Sequence, residues 1–444
     1  MIAALLTAVM AVSAPLPAAA PAGDVSFTSH GVTLRGTVVA PEGDGRAPGI
    51  VMVHGSGEHD RNDYRAEAEA FAKAGIATLI YDKRTEGYSL FERDYSVLAD
   101  DALAAVQALR SHSGVDPARV GVWGLSEGGW VAPLAASKSK DVAFAVAVGA
   151  NGVSPDRQQS WAFETYLRHG GVTGSMADMV ASTNMRTLVG AGVFPEAGYD
   201  PVPVLEKVRQ PVLGLWGELD RLTPPGEAVR IFRETLERTG NRQYTLKVFP
   251  QAQHGLRRTT DGFDVLDGFA PGYLDLVGTW VNGLKDGPVQ PSADPPPRQE
   301  SESVALAPLA WFEAPWLQIG VWALALLAFA AYPVTALFRR REDVPLARPA
   351  RWLASTGLLA TVGFLAYYIT LTAGGVMAPG PVPFGRTLPW LALQLIAVGV
   401  VIAGAVTAVS WWRREDGGAV RVGLSLGGAV LFVPWAVHWG LLVP

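Results

Sequence analysis

No cysteine occurs among the 444 residues, which excludes disulfides, thiolate metal sites and a cysteine nucleophile. It says nothing of the compartment, since an exported domain of this size can do without disulfides. Charge is missing from four long stretches of the last third, near 316–338, 352–376, 388–412 and 422–444, where no Asp, Glu, Lys or Arg occurs. Each run exceeds the roughly 20 residues a helix needs to cross a bilayer core, and none shows the polar face of a soluble helix. Four membrane spans are expected. Lacking ionisable residues, they suit anchoring or helix packing better than transport or proton relay. Gly423 and Gly427 form a GxxxG suited to close helix contact.

Excess basic charge is absent as well. The formal net charge is −5 overall, while the segment from Ala305 onward holds nine arginines against five acids, so the remainder carries −9. An acidic domain is a poor match for a phosphate backbone, and no nucleic-acid partner is expected. There is also no phosphate-binding glycine loop and no metal-ligand spacing, so neither cofactor nor metal is expected.

Arginines that remain are placed unevenly. Arg339, Arg340, Arg341, Arg348 and Arg351 follow the first span, and Arg413, Arg414 and Arg421 follow the third, against Arg386 alone after the second. Short cytoplasmic loops collect such residues, which puts everything before Trp316 outside the cytoplasm. Met1–Ala14 is an apolar run followed by PLPAAAPAGD, the pattern of a secretory signal peptide over residues 1–22 that lacks only the usual leading positive charge. Two separate features give one topology: a multi-pass cell-membrane protein whose N-terminal domain is extracytoplasmic.

Between residues 23 and 285 short β-rich apolar runs alternate with helical patterns, as in a mostly parallel sheet covered on both faces. Val32–Val39 alternates like an antiparallel strand. Continuous runs follow at Gly49–Val53, Ile76–Tyr81, Arg119–Gly124, Ala143–Gly149, Pro211–Trp216 and Tyr244–Phe249, with a clear helix over Tyr95–Arg110. Residues 151–210 interrupt this rhythm and form a candidate substrate-covering cap. Residues 286–304 hold five prolines without apolar periodicity, which reads as an extended linker to a membrane domain at 305–444.

The chemistry centres on Ser126, held in GLSEG between the strand-like RVGVWG and the helix-like WVAPLAA. A serine in a strained strand-to-helix elbow needs small flanking residues where the two backbones approach. It also needs a base, and the base needs an orienting acid. Asp220 lies four residues past one predicted strand and His254 five past the last, in the chain order such a sheet requires. Glu218 is the rival acid, earlier in its turn. His59 follows an active-edge loop, and His54 reads as a residue ordering that loop. Two backbone donors must face the developing oxyanion, each worth about 3 kcal/mol; the N–H groups of Ser56 and Glu127 are the candidates. Asp60, Arg61, Asp82, Lys83 and Arg84 read as ion pairs fixing two loops rather than as substrate ligands.

Taken in order, VMVHGSGEHDRNDY, GIATLIYDKRTEGYS, RVGVWGLSEGGWVAPLAA, GELDRLTPP and QAQHGL resemble the α/β-hydrolase superfamily. Within it they are most similar to bacterial serine esterases of the dienelactone-hydrolase-like and prolyl-oligopeptidase-like branches. The resemblance covers about Val32–Leu284. It implies a carboxylic-ester hydrolase with Ser126 as nucleophile, His254 as base and Asp220 as its orienter; the substrate expected is a small-molecule ester or a lipid ester brought by the spans. Thr85 stands where relatives often have glycine, and relatives are usually soluble, so the four spans inherit no role. A peptidase or acyltransferase using the same three residues, and a non-catalytic membrane scaffold, are the alternatives.

Overall fold

The computed structural model describes residues 22–43, 45–89, 91–337, 347–374, 380–413 and 420–444. The signal segment up to residue 21, the arginines at 339–341 and Arg414 lie outside the described residues. The chain divides into two compact units. Among the described residues, one takes in Ala22–Ala162 together with Phe194–Ala305, and the other joins Phe163–Val193 to the described part of Leu306–Pro444.

The first unit is built on a nine-stranded sheet: β1 (Ala22–Ser29), β2 (Val32–Val39), β3 (Ala47–Val53), β4 (Ala77–Tyr81), β5 (Val115–Leu125), β6 (Ala145–Val148), β7 (Val212–Gly217), β8 (Tyr244–Phe249) and β9 (Ser292–Ala293). Their spatial order is β1-β2-β4-β3-β5-β6-β7-β8-β9. β2 is antiparallel to both β1 and β4, and every pairing from β4 to β9 is parallel.

Continuous apolar runs are what a strand buried on both faces requires. Val51 and Val122 face a cluster with α2 (Tyr95–Arg110), α3 (Gly128–Lys138) and α5 (Pro225–Arg238), to which Leu109, Ala132 and Phe232 contribute. Their neighbours Ile50, Met52 and Trp123 point the other way, into a cluster with Phe71 of α1 (Arg65–Lys73) and Val277 and Val281 of α6 (Tyr273–Gly283). The two-residue strand period thus divides one run between two cores. α2 starts on Asp94, whose carboxylate accepts the N–H groups of Ser96 and Val97 at 2.7 and 3.3 Å, capping two otherwise unpaired donors.

Residues 286–304 are extended but not free-standing. Ser292–Ala293 adds the last strand beside β8. Farther on, Glu227 of α5 accepts the Ser303 N–H at 2.6 Å, the Ser303 hydroxyl at 2.7 Å and the Gln299 amide at 2.7 Å. Polar contacts to one buried carboxylate hold this segment, which is why an apolar pattern could not reveal it.

The second unit contains α7 (Pro315–Leu337), α8 (Ala347–Gly374), α9 (Leu388–Trp412) and α10 (Val420–His438). All four are long and apolar enough to cross a membrane. The candidate cap divides: α4 (Pro155–His169) runs from one unit into the other, and the short helical pieces within 175–190 belong with the spans. Thr173 donates its N–H to the Gly385 carbonyl at 2.8 Å, Gln394 donates to the Ser175 hydroxyl at 3.2 Å, and Tyr368 donates to Asn184. The GxxxG reading needs correction. Nothing lies within 4 Å of a side chain built on Gly427, whereas one on Gly428 would meet Ala328 at 3.0 Å and Phe329 at 3.2 Å. The helical period turns Gly428, one residue on, toward α7.

Candidate active site

Ser126 terminates β5 with φ of 59°, a left-handed conformation that costs a non-glycine residue energy. The glycines around it are required by contact. A Cβ on Gly124 would lie 1.9 Å from the Gly128 carbonyl oxygen, and one on Gly128 would lie 2.5 Å from that of Val53. Strand, elbow and helix are therefore as close as backbones can come. The Ser126 amide donates to the Val148 carbonyl at 3.0 Å, tying the elbow to the end of β6.

Asp220 follows β7 and is 1% exposed. One carboxylate oxygen accepts the N–H groups of Leu222 and Thr223, both at 2.8 Å. The other accepts the Thr223 hydroxyl at 2.6 Å and His254 Nδ1 at 2.8 Å. Four donors hold the carboxylate in one orientation. Glu218 is exposed. His254 follows β8; its Nε2 is buried with no hydrogen-bond partner among the described residues. At Gly149, just past β6, a Cβ would meet the His254 ring at 2.9 Å, so the imidazole sits against the strand end to which Ser126 is bonded. An imidazole whose Nδ1 is committed to a carboxylate offers Nε2 as a proton acceptor.

The loop after β3 supplies the other wall. Gly55 donates its N–H to the Tyr64 hydroxyl at 3.1 Å and Gly57 donates to the Tyr88 hydroxyl at 3.0 Å. The Ser56 amide lies between these two committed donors. A side chain on Gly55 would touch Ser126 Cβ at 3.6 Å, so the loop borders the serine directly. Glu127 immediately precedes α3, where the first N–H groups of a helix lack partners within it.

Sequence reasoning missed how the Glu127 side chain is held. It is 1% exposed and takes Lys83 Nζ at 2.7 Å, Arg93 Nη1 at 2.9 Å and the Tyr88 hydroxyl at 2.9 Å. Burial works against its charge, but Lys83 and Arg93 outweigh that and hold its pKa below the usual value. Tyr88 also reaches Gly57, and Lys83 also donates to the Gly55 carbonyl. One buried polar cluster thereby locks the elbow to the facing loop. Arg61 pairs with Asp82 at 2.6 Å, Arg84 grips Asp101 through two bonds at 2.6 and 2.7 Å, and Asp60 caps the turn at Asn62.

His54 stacks between His59 and Tyr64. Burial lowers its pKa to about 3, so the ring is neutral, and it bonds the Tyr81 carbonyl. His59 bonds Asp63 at 2.7 Å. Although no metal-ligand spacing is evident in the sequence, ligand atoms of His54, His59 and Asp63 lie within 4.8 Å of one another. These are the residues, among those described, with the donor set to hold an ion.

Residues 62–269 match the model of the prolyl oligopeptidase family. That match, over just under half of the chain, agrees with the strand order and the serine elbow. The sheet unit has the α/β-hydrolase fold. The chain is 35% identical over 130 residues to the thiohydrolase aneE of Aspergillus aculeatus, covering 28% of this chain and 40% of that protein. It is 33% identical over 128 residues to the esterase EstD of Thermotoga maritima, covering 26% and 31%. Both matches span well under half of the relative's own length. The solved structure of 2,6-dihydroxy-pseudo-oxynicotine hydrolase aligns with 62% of this chain and 71% of its own, at 18% identity and a TM-score of 0.45.

Proposed function

We propose that the hydrolase domain is a membrane-tethered serine esterase acting outside the cytoplasm. The observation that carries this reading is His254, with Nδ1 fixed at 2.8 Å from Asp220 and Nε2 buried and uncommitted, beside the elbow bearing Ser126. In the reaction, Ser126 Oγ attacks the ester carbonyl as its proton passes to His254. The Ser56 and Glu127 amides receive the oxyanion. Collapse transfers the proton to the departing alcohol and leaves Ser126 acylated; water, activated by the same imidazole, then releases the acid. The four helices anchor the chain, and the arginines after the first and third spans support an extracytoplasmic hydrolase domain.

Intact cells treated with a membrane-impermeant fluorophosphonate test chemistry and topology together. Labelling that disappears in Ser126→Ala is the expected result. Labelling confined to lysed cells overturns the topology, and none in either state overturns the activated serine. The match to the prolyl oligopeptidase family favours a second reading, amide cleavage at the same site. Matched p-nitrophenyl ester and p-nitroanilide substrates separate the two by their kcat/KM ratio.

A further inference from the structure

We propose that the helical unit binds one acyl chain of a bilayer glycerophospholipid in a pocket among α7, α8 and α10. This goes beyond ester cleavage and does not depend on it. The cavity measures about 280 Å³, near the lower end of the roughly 300–1,000 Å³ of small-molecule pockets, which suits one chain rather than a whole lipid. Its walls are Trp322, Phe364, Leu365, Tyr368, Trp435 and Trp439. Phe364 packs edge-on against Trp435 and Trp439 at 4.9 and 5.5 Å.

Polar groups at the lining are already satisfied within the protein. Gln318 donates to the Phe312 carbonyl at 2.7 Å and accepts from Trp439 Nε1 at 3.2 Å. Trp322 donates to the Thr361 carbonyl at 3.2 Å, and the Thr187 hydroxyl donates to the Thr183 carbonyl at 2.8 Å. A wall with its polar groups so committed holds no ordered water and recognises an apolar ligand.

The surroundings name that ligand. Ile319 and Leu365 line the pocket and are 65% and 39% exposed, so it opens sideways on the outer surface of helices that are membrane-length and apolar. Hydrocarbon is what lies at such a mouth. Depth agrees: Arg186 pairs with Glu313, beside Trp311 and Trp316, which are 81% and 74% exposed. A polar pair flanked by exposed tryptophans marks headgroup level. The pocket starts at that level, with Pro315 and Thr187 in its wall, and runs along α7 through Gln318 and Ile319 to Trp322, from the headgroups into the chain region. Thr187, from the segment between β6 and β7, forms part of the wall.

The test uses the full-length chain in phosphatidylcholine vesicles doped with phosphatidylcholine bearing a diazirine on one acyl chain. After irradiation, adducts are mapped by mass spectrometry. Adducts on Trp322, Phe364 and Trp435 should exceed those on Val398 and Ile402, exposed on α9, by at least fivefold. Leu365→Trp, and separately Ile319→Trp, fill the mouth and should cut pocket adducts several-fold while leaving those on α9 unchanged, which also reports that the bundle is folded. Equal labelling of pocket and α9 overturns the proposal. So does labelling that ignores both substitutions, or pocket labelling by free diazirine-palmitate but not by the phospholipid.

Discussion

The two units bury polar groups by opposite means. The sheet unit buries carboxylates: Glu127, Asp101, Asp220 and Glu227 are each 1% exposed, and each is met by donors from distant parts of the chain. The spans, at full burial, hold hydroxyls instead. Thr361, Thr407 and Ser425 are fully buried, and each returns its proton to the carbonyl four residues back in its own helix, at 2.8, 2.7 and 3.1 Å. Loops, helices and the extended segment converge in the sheet unit, so a carboxylate there can gather several partners. A span has only its own backbone to rely on before it meets its neighbours. Buried carboxylates thus occur at strand ends, as Glu127 and Asp220, and on helices packed against the sheet, as Asp101 of α2 and Glu227 of α5, and the spans avoid them.

Substitutions can break this contrast in graded steps. Asp220→Asn should lower esterase kcat by about 10⁴-fold with little change in KM, because the amide no longer holds His254 in the tautomer that frees Nε2; steady-state kinetics check it. Glu127→Gln leaves Lys83 and Arg93 buried without a counter-charge. It should destabilise the hydrolase domain by about 3–5 kcal/mol, read from urea unfolding of the full chain in detergent.

Glu67 sharpens the rule, because it is a buried acid with one oxygen unpartnered. Burial raises its pKa to about 7. Since the folded value lies above the unfolded one, the fold favours the protonated form, and stability is lost as pH rises from about 4.5 through about 7. Glu67→Gln should match the wild type below pH 4.5 and exceed it by about 1–3 kcal/mol at pH 8; unfolding curves at the two pH values decide. Thr361→Val should be the mildest, costing about 0.6 kcal/mol or less in thermal unfolding within bicelles, because its hydroxyl serves only its own helix. A loss as large as that of Glu127→Gln would remove the distinction between the units.

Legibility followed range of interaction. Val32–Val39, Tyr244–Phe249 and Tyr95–Arg110 are bounded in the structure as their local patterns require, since strand period and helix capping are properties of neighbouring residues. β1 escaped because its pattern is ordinary and its partner is the adjacent β2. β9 escaped because prolines hide a strand that pairs through two residues. The role of the Glu127 side chain was illegible for another reason: Lys83 and Arg93 stand 44 and 34 positions before it, and no spacing rule links them.

The order of Ser126, Asp220 and His254, the alternation of strands and helices and the four apolar runs follow from sequence alone, because each depends on local periodicity or on chain order past a strand end. Tertiary structure decided which acid meets His254, which glycine of α10 faces α7, and where the interruption after β6 belongs. Those outcomes depend on which distant surfaces become neighbours, and that choice is made by the folded chain as a whole.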